Sequence, residues 1–289
     1  MKIGYPCVNN TLGCTSNRTF RLVNYSEERL IEKTEENLEC LKKILEFNVE
    51  KNLLFFRIGS GLVPFASHEV CVFDWGDHFK KKLEEVGDYI KGNNIRISMH
   101  PDQFVVLNSK KEDVVEKSIR EIKYHCDVLD FMGLKDDAKV QIHVGGVYGD
   151  KEESVKRFID VYSKLGTNIK RRLVVENDHV SYSLKDCLKV NKETGVPIVF
   201  DSYHHECLNS GETFQEAVRE VERTWKEKDG VLMTDYSQQQ KGKKKGVHAE
   251  SINIKKFTDF LKETEQFDFD IMLEIKDKEK SALEAVKVL

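Results

Sequence analysis

The segment Leu173-Val174-Val175-Glu176 is a short apolar run that ends on a carboxylate, and Ile198-Val199-Phe200-Asp201 repeats this pattern. Short apolar runs rich in β-branched residues indicate strands that are buried on both faces, as in a parallel sheet. The chain contains eight such runs, at residues 2–8, 53–59, 95–100, 139–146, 173–177, 197–204, 230–237 and 270–275.

The stretches between these runs are charged and have the apolar spacing of helices, for example at Leu38, Leu41 and Leu45. Alternating strands and helices indicate a parallel sheet with helical crossovers. Eight repeats without a Pro- or Gly-rich linker, and without Gly-x-Gly-x-x-Gly after the first strand, favour a closed barrel over an open doubly wound sheet. We therefore predict an α/β protein with a (β/α)8 TIM barrel as a single domain over residues 1–289.

The composition is typical of a soluble globular protein, with 39% hydrophobic and 33% charged residues. A net charge of -4 at pH 7 gives no overall basic character, so affinity for a nucleic acid must come from local positive charge. No segment has the apolar length of a signal peptide or a membrane span, which predicts a cytoplasmic protein without a membrane partner. The seven cysteines lack Cys-x-x-Cys spacing, which predicts reduced thiols rather than disulfides or a zinc site.

Histidines and carboxylates occur in the predicted strands three to eight, mostly at their ends, and in the loops after strands two and seven. In a TIM barrel these positions surround the active site. The nine candidates are His68, His100, His143, Glu176, Asp201, His204, Asp235, His248 and Glu274. Burying a carboxylate or an imidazole without a partner costs free energy. The presence of so many of them at one mouth therefore predicts that bound cations hold them.

Five imidazoles and four carboxylates without a thiolate suit Zn(II), Mn(II) or Fe(II). Nine ligands exceed the needs of one ion and fit two or three divalent metal ions, with positions left open for water and substrate. A site with several metals favours phosphoryl chemistry, because one ion can activate the attacking water while another stabilises the departing oxygen.

Several motifs, in their order along the chain, resemble those of the UV damage endonuclease family. The most specific is His100-Pro101-Asp102-Gln103-Phe104. The others are Gly4-Tyr5 with Asn9, Arg57-Ile58-Gly59-Ser60, Ser67-His68, Ile142-His143-Val144-Gly145-Gly146, Glu176-Asn177-Asp178, Phe200-Asp201-Ser202-Tyr203-His204-His205, Tyr236-Ser237, His248-Ala249-Glu250-Ser251 and Leu273-Glu274. The resemblance extends from Gly4 to Glu274.

This resemblance implies a TIM barrel similar to that of endonuclease IV, with a three-metal site in which Mn(II) is favoured and Zn(II) is the alternative. It implies cleavage of damaged double-stranded DNA 5′ to UV photoproducts, with abasic sites as a further candidate substrate. All the candidates except Asp235 would be metal ligands, and Glu176, Asp201 and Glu274 would act in catalysis through the metal cluster.

The resemblance also implies residues that contact the DNA. Gln103 and Phe104 match a Gln-aromatic pair that enters the duplex at the damaged site, where a planar ring can replace lost base stacking. Tyr5 and Asn9 match positions that contact the lesion.

Strand seven departs from the family pattern, because Met233-Thr234-Asp235 stands where Lys-x-His is typical. Residues two apart on a strand face the same way, so both substitutions should point into the site. Asp235 can still bind a hard divalent ion, whereas Met233 cannot be carboxylated as the lysine can. The change would alter metal choice, pH optimum or lesion range, or it marks a subfamily with another substrate.

The segment Gln238-Gln239-Gln240-Lys241-Gly242-Lys243-Lys244-Lys245-Gly246 follows strand seven, so topology places it on the catalytic face. We predict a mobile basic loop in which Lys243 and Lys244 contact DNA phosphates.

Two other functions remain open at this point. TIM barrels of this kind include sugar isomerases and epimerases that bind divalent ions through carboxylates and histidines. The number of ligands, the Gln103-Phe104 pair and the lysine-rich loop argue against a small sugar substrate. A binding module without catalysis would lack several ligands, whereas only strand seven is altered.

We expect a monomer.

Overall fold

The structure, a computed structural model, describes residues 1–289 and confirms the TIM barrel. Eight parallel strands pair in chain order, and the first closes the barrel against the last. They are β1 (Ile3–Pro6), β2 (Phe55–Ile58), β3 (Arg96–Met99), β4 (Lys139–His143), β5 (Leu173–Glu176), β6 (Ile198–Asp201), β7 (Leu232–Tyr236) and β8 (Phe269–Leu273).

Helices surround the barrel, and side-chain caps define where several of them begin. Ser183, for example, accepts a hydrogen bond from the Asp186 amide while the Asp186 carboxylate accepts one from the Ser183 amide. None of the helices has the length and apolar composition that a membrane span requires. They are α1 (Glu27–Glu50), α2 (Trp75–Gly92), α3 (Glu112–Phe131), α4 (Lys151–Lys164), α5 (Thr167–Lys170), α6 (Leu184–Thr194), α7 (Ser202–Cys207), α8 (Phe214–Glu222), α9 (Ile254–Glu263) and α10 (Glu279–Val286).

The barrel interior is built in layers, because alternate residues of each strand point inwards. One layer is apolar and consists of Phe55, Val174, Val199, Met233 and Met272. Two residues further along the same strands, at the carboxyl ends that form the mouth, stand Arg57, Glu176, Asp201, Asp235 and Glu274. The strand period of two therefore stacks a polar layer directly on an apolar one.

The charges at the opposite end of the barrel are paired. Arg96 lies 2.9 Å from Asp270, and Lys139 lies 2.6 Å from Asp229. The Trp225 ring packs 5.5 Å from the Arg96 guanidinium. The charged side chains named at this end therefore form ion pairs with one another.

The sixth strand is shorter than the sequence predicts. It ends at Asp201, and α7 begins at once with Ser202. The Asp201 carboxylate accepts a hydrogen bond from the His204 amide at 2.6 Å and so caps this helix. His204 therefore stands on the first turn of a helix rather than at the end of a strand.

The prediction that all cysteines are reduced is wrong for one pair. Cys14 and Cys40 form a disulfide that ties the loop after β1 to α1. The pairing depends on how this loop folds back over the helix, which the spacing of the cysteines does not show. The other five cysteines are free.

Candidate active site

Buried and half-buried histidines and carboxylates form three overlapping clusters at the mouth of the barrel. Within each cluster, the candidate ligand atoms lie within 4.8 Å of one another. Glu176 belongs to the first two clusters and Asp201 to the last two, so neighbouring cations would share a carboxylate. The clusters are His100 with His143 and Glu176, Glu176 with Asp201 and His204, and Asp201 with Asp235 and Glu274.

Four buried atoms in these clusters have no hydrogen-bond partner: Nδ1 of His143, Oε1 of Glu176, Oδ2 of Asp201 and Oδ1 of Asp235. A buried polar atom without a partner costs about 1–3 kcal/mol. Nitrogen and carboxylate oxygen atoms are ligands that divalent transition metals accept. Two of these atoms, Oε1 of Glu176 and Oδ2 of Asp201, lie near Nδ1 of His204, at 3.0 and 3.4 Å. The clusters therefore fit metal ions, and a bound ion would satisfy ligand atoms that no hydrogen bond satisfies.

Backbone carbonyls orient three of the histidines through Nδ1. A carbonyl oxygen only accepts hydrogen bonds, so Nδ1 carries a proton and Nε2 is the nitrogen that would bind a metal. The pairs are His100 with the Pro101 carbonyl (2.9 Å), His204 with that of Asn177 (2.9 Å) and His248 with that of Glu274 (2.8 Å).

Arg57 is a central residue of the site that was not among the sequence candidates. Its buried guanidinium donates to Oδ2 of Asp235 at 2.7 Å and also bonds Glu274. Gln141 accepts from Arg57 at 3.1 Å and donates to Asp235 and to Glu176, each at 2.6 Å. Arg57 and Gln141 thus hold one oxygen of each of these three carboxylates and leave the other oxygen for a cation.

Burial and neighbouring charges shift the pKa values of the carboxylates in different directions. Burial raises the pKa of Asp235 to about 7, although Arg57 opposes the shift. Burial acts in the same direction on Glu274, but Arg57, His248 and His100 together outweigh it and lower the pKa of Glu274 to about 2. Burial also raises the pKa of Asp201, and Glu176 adds to this effect. A divalent cation beside these groups would favour their ionised forms.

His248 and His68 lie outside the three clusters. The His248 ring lies 6.0 Å from that of His204, and its Nδ1 lies 3.9 Å from Oε2 of Glu274, so it borders the clusters. His68 is exposed, and its Nδ1 accepts a hydrogen bond from the Val70 amide at 3.1 Å. The structure therefore does not bring His68 to the other candidate ligands.

The mouth opens into a cavity of about 770 Å³, whose lining includes His100, His143, Gln103, Phe104 and Glu274. The Phe104 side chain is 78% exposed, so it is not a core aromatic residue. It also borders a second cavity, of about 610 Å³. An exposed ring between two cavities has the position expected of a residue that inserts between bases.

Tyr5 and Asn9 are buried, contrary to the expectation that they contact a lesion. The Tyr5 hydroxyl donates to Asn48 of α1 at 2.6 Å and accepts from Asn9 at 2.9 Å. The Asn9 carbonyl oxygen in turn accepts from the amides of Thr11 and Leu12. Tyr5 points out of the barrel towards the helices, and both residues here shape the loop after β1.

The lysine-rich segment is a hairpin loop whose base is fixed, and not a loop that is mobile throughout. Gln239 and His248 form an antiparallel bridge, and the Gly246 amide donates to the Tyr203 hydroxyl at 3.0 Å. Lys243 and Lys244 are exposed at the tip. The base is thus anchored beside the mouth while the lysines remain open to a partner.

Of the two altered residues on β7, only Asp235 reaches the polar layer. Met233 is fully buried in the apolar layer beneath it. Both face the interior, as the strand period predicts, but they occupy different depths.

A closed TIM barrel with overlapping histidine and carboxylate clusters at its mouth defines a class of barrel proteins that can hold several metal ions. The family model described as UV-endonuclease UvdE matches residues 1–289, and the chain belongs to this family. The family predicted from the sequence motifs, and with it the assignment as an endonuclease, is confirmed.

Individual proteins support this membership. The chain is 42% identical over 291 residues to the "UV DNA damage endonuclease" of Clostridium perfringens (strain 13 / Type A), covering 100% of this chain and 71% of that protein. The crystal structure named SacUVDE matches with a TM-score of 0.96 and 50% identity, over 100% of this chain and 98% of that one.

A more distant match, the 3-keto-D-glucoside 4-epimerase YcjR from E. coli, has a TM-score of 0.58 and 13% identity, over 99% of this chain and 98% of that one. At this identity the likeness concerns the fold alone. It shows that sugar epimerases share the barrel, so the fold by itself does not separate the two functions.

Proposed function

We propose that this endonuclease hydrolyses the phosphodiester bond 5′ to UV photoproducts in double-stranded DNA, and that abasic sites are a further substrate. The observation that carries the proposal is the set of overlapping clusters with unpartnered ligand atoms, beside a cavity edged by the exposed Phe104. We further propose that residues 1–289 act as one domain, as a monomer in the cytoplasm. Family membership favours this function over sugar isomerisation.

The clusters would hold two or three divalent metal ions. Carboxylates and imidazoles without thiolates suit Mn(II), Zn(II) or Fe(II), and the family resemblance favours Mn(II) among them. When bound, such ions lower the pKa of an attacking water and stabilise charge on the departing oxygen. The residues that would hold them are His100, His143, Glu176, Asp201, His204, Asp235, His248 and Glu274.

The remaining residues of the site keep these groups in position. Arg57 and Gln141 each hold carboxylate oxygens from the interior of the barrel, and backbone carbonyls hold Nδ1 of three histidines. Fixed ligands do not need to reorganise when charge develops during the reaction, which is the main source of electrostatic catalysis.

DNA recognition would use two kinds of contact, an aromatic ring that inserts between bases and lysines that bind backbone phosphates. Phe104 is exposed at the edge of the cavity, where its ring can stack on bases beside a lesion, with Gln103 next to it. Lys243 and Lys244 stand on the anchored hairpin beside the mouth and can neutralise backbone phosphates. The contact made by Phe104 would depend on damage to the DNA, whereas the phosphate contacts of the two lysines would not.

End-labelled duplexes that carry one pyrimidine dimer, one abasic site or no lesion test this function directly. With Mn(II) present, the protein should nick the dimer duplex at the phosphodiester 5′ to the lesion and leave the intact duplex uncut. Failure to nick the dimer duplex, or equal nicking of the intact one, would overturn the proposal.

A further inference from the structure

Lys278, the residue before α10, has an unusual backbone conformation. Its φ of 57° and ψ of -117° lie in a region that glycine adopts readily and that a residue with a side chain adopts only with strain. Strain of this kind persists only where the surrounding structure enforces it, and it concentrates at functional sites.

The neighbours of Lys278 enforce this conformation. On the carboxyl side, Glu279 is buried and its carboxylate accepts from the Thr11 hydroxyl at 2.7 Å. On the amino side, the amides of the two preceding residues are bonded to the loop after β7. These bonds are Lys276 to the Ala249 carbonyl and Asp277 to the Glu250 carbonyl, each 3.1 Å.

The Lys278 side chain lines the 770 Å³ cavity, together with Arg57, His100 and Phe104. No hydrogen bond or ion pair engages its ammonium group. Lys276, which lines the same cavity, has its ammonium group bonded instead to Gln240 and Glu250 at 2.6 Å each. Lys278 therefore presents a free positive charge in the cavity that contains the candidate metal ligands.

We propose that Lys278 binds a backbone phosphate of the DNA strand that occupies this cavity. Glycine would relieve the strain but carries no charge, so the chain retains a strained lysine where an anion must be held. The ammonium group is a compact point charge, which suits a phosphodiester. This inference rests on the proposed function, because it requires DNA in the cavity.

The test measures binding of the Mn(II)-loaded protein to an intact duplex by fluorescence anisotropy over a range of salt concentrations. Each neutralised phosphate contributes about 0.9 to the slope of log K against log salt concentration. Lys278→Ala and Lys278→Gly should both reduce the slope by about this amount, and Lys278→Arg should restore it. Lys280→Ala removes an exposed lysine two residues away that does not line the cavity, and it should leave the slope unchanged.

Thermal unfolding supplies a second measurement. Lys278→Gly removes both charge and strain, whereas Lys278→Ala removes only the charge. The glycine variant should therefore unfold at a higher temperature than the alanine variant, by about 2–4 °C, although glycine ordinarily destabilises.

An unchanged salt slope in both Lys278→Ala and Lys278→Gly would overturn the proposal, as would an equal loss of slope in Lys280→Ala. Equal unfolding temperatures of the alanine and glycine variants would overturn the role of strain. Because these experiments measure binding to an intact duplex and unfolding, they do not require that damaged DNA is nicked. Failure of the proposed function would appear separately, as a wild-type protein that does not nick the dimer duplex.

Discussion

Nη2 of Arg57 lies 2.7 Å from Oδ2 of Asp235, and the two side chains are only 3% and 0% exposed. Their strands, β2 and β7, are not neighbours in the barrel, so this ion pair crosses its interior. The same guanidinium bonds Glu274. A planar fork with several donors can hold two carboxylates in fixed directions, and we infer that Arg57 positions both for metal binding.

Arg57→Lys should weaken Mn(II) binding by about 10- to 100-fold, the usual effect of losing a group that orients metal ligands. Lysine keeps the positive charge, but its single ammonium cannot bond both Asp235 and Glu274 in the geometry of the guanidinium. Calorimetric titration of the chelated protein with Mn(II) measures this loss.

Arg96→Lys is the matched control, because Arg96 is also a buried arginine inside the barrel and lies 2.9 Å from Asp270 at the opposite end. It should lower the free energy of unfolding while Mn(II) affinity stays at the wild-type level. If both variants lost affinity equally, a general disturbance of the barrel would explain the result and the role of Arg57 would be wrong.

Glu176→Gln should abolish nicking, because Glu176 belongs to two of the three clusters and a neutral amide binds metal poorly. The fold should remain, as judged by circular dichroism. Glu121→Gln is a suitable control, since Glu121 bonds Ser67 beside the second cavity and belongs to none of the clusters. Near-normal turnover by Glu176→Gln would place the catalytic metals elsewhere.

The double change Gln103→Ala with Phe104→Ala should reduce the preference for damaged over intact duplex by about 1–3 kcal/mol, the scale of base stacking on an aromatic ring. Competition binding with the two duplexes measures this preference. Changing Lys243 and Lys244 to alanine should instead weaken both complexes equally and leave the preference intact. A wild-type preference in the Gln103 and Phe104 double variant would exclude an inserting role.

His125 should make stability depend on pH. It is buried, with Nδ1 2.7 Å from the Glu121 carbonyl and Nε2 3.0 Å from the Ser60 hydroxyl. Burial lowers the pKa of His125 to about 4. The unfolded chain binds this proton near pH 6.5, so its contribution to stability is complete above that pH and is lost between about pH 6.5 and 4.

This contribution amounts to about 2 kcal/mol between pH 7 and pH 5. Urea unfolding of the wild type and of His125→Asn at the two pH values isolates it, because asparagine can still donate to the Glu121 carbonyl but does not titrate. If the two proteins lost equal stability on acidification, His125 would not be responsible.

The strand ends could be predicted because an apolar run that closes on Glu176 or Asp201 is visible in the sequence. Closure of the barrel then brings these ends together, whatever the details of the helices. Arg57 lies in one of the family motifs, but the sequence assigned it no role in the site, since an arginine next to apolar residues is equally compatible with a solvent-exposed position. Only closure places it opposite Asp235.

Other details depended on contacts that no local pattern encodes. Both faces of β1 are buried, so the sequence did not decide whether Tyr5 points to the mouth or to α1. The position of His68 depends on the conformation of a loop, and the Cys14–Cys40 disulfide on the packing of another. Periodicity determines strands and their faces, whereas loops are fixed by tertiary contacts.

Metal ions held by the three clusters would be required for the cleavage of damaged DNA, and the most direct measurement is the nicking rate of chelated protein on a pyrimidine-dimer duplex as Mn(II) is added back. We predict no cleavage in the absence of metal, recovery with added Mn(II), and no recovery in Glu176→Gln. Cleavage by the fully chelated wild type at the rate of the Mn(II)-loaded protein would contradict the account.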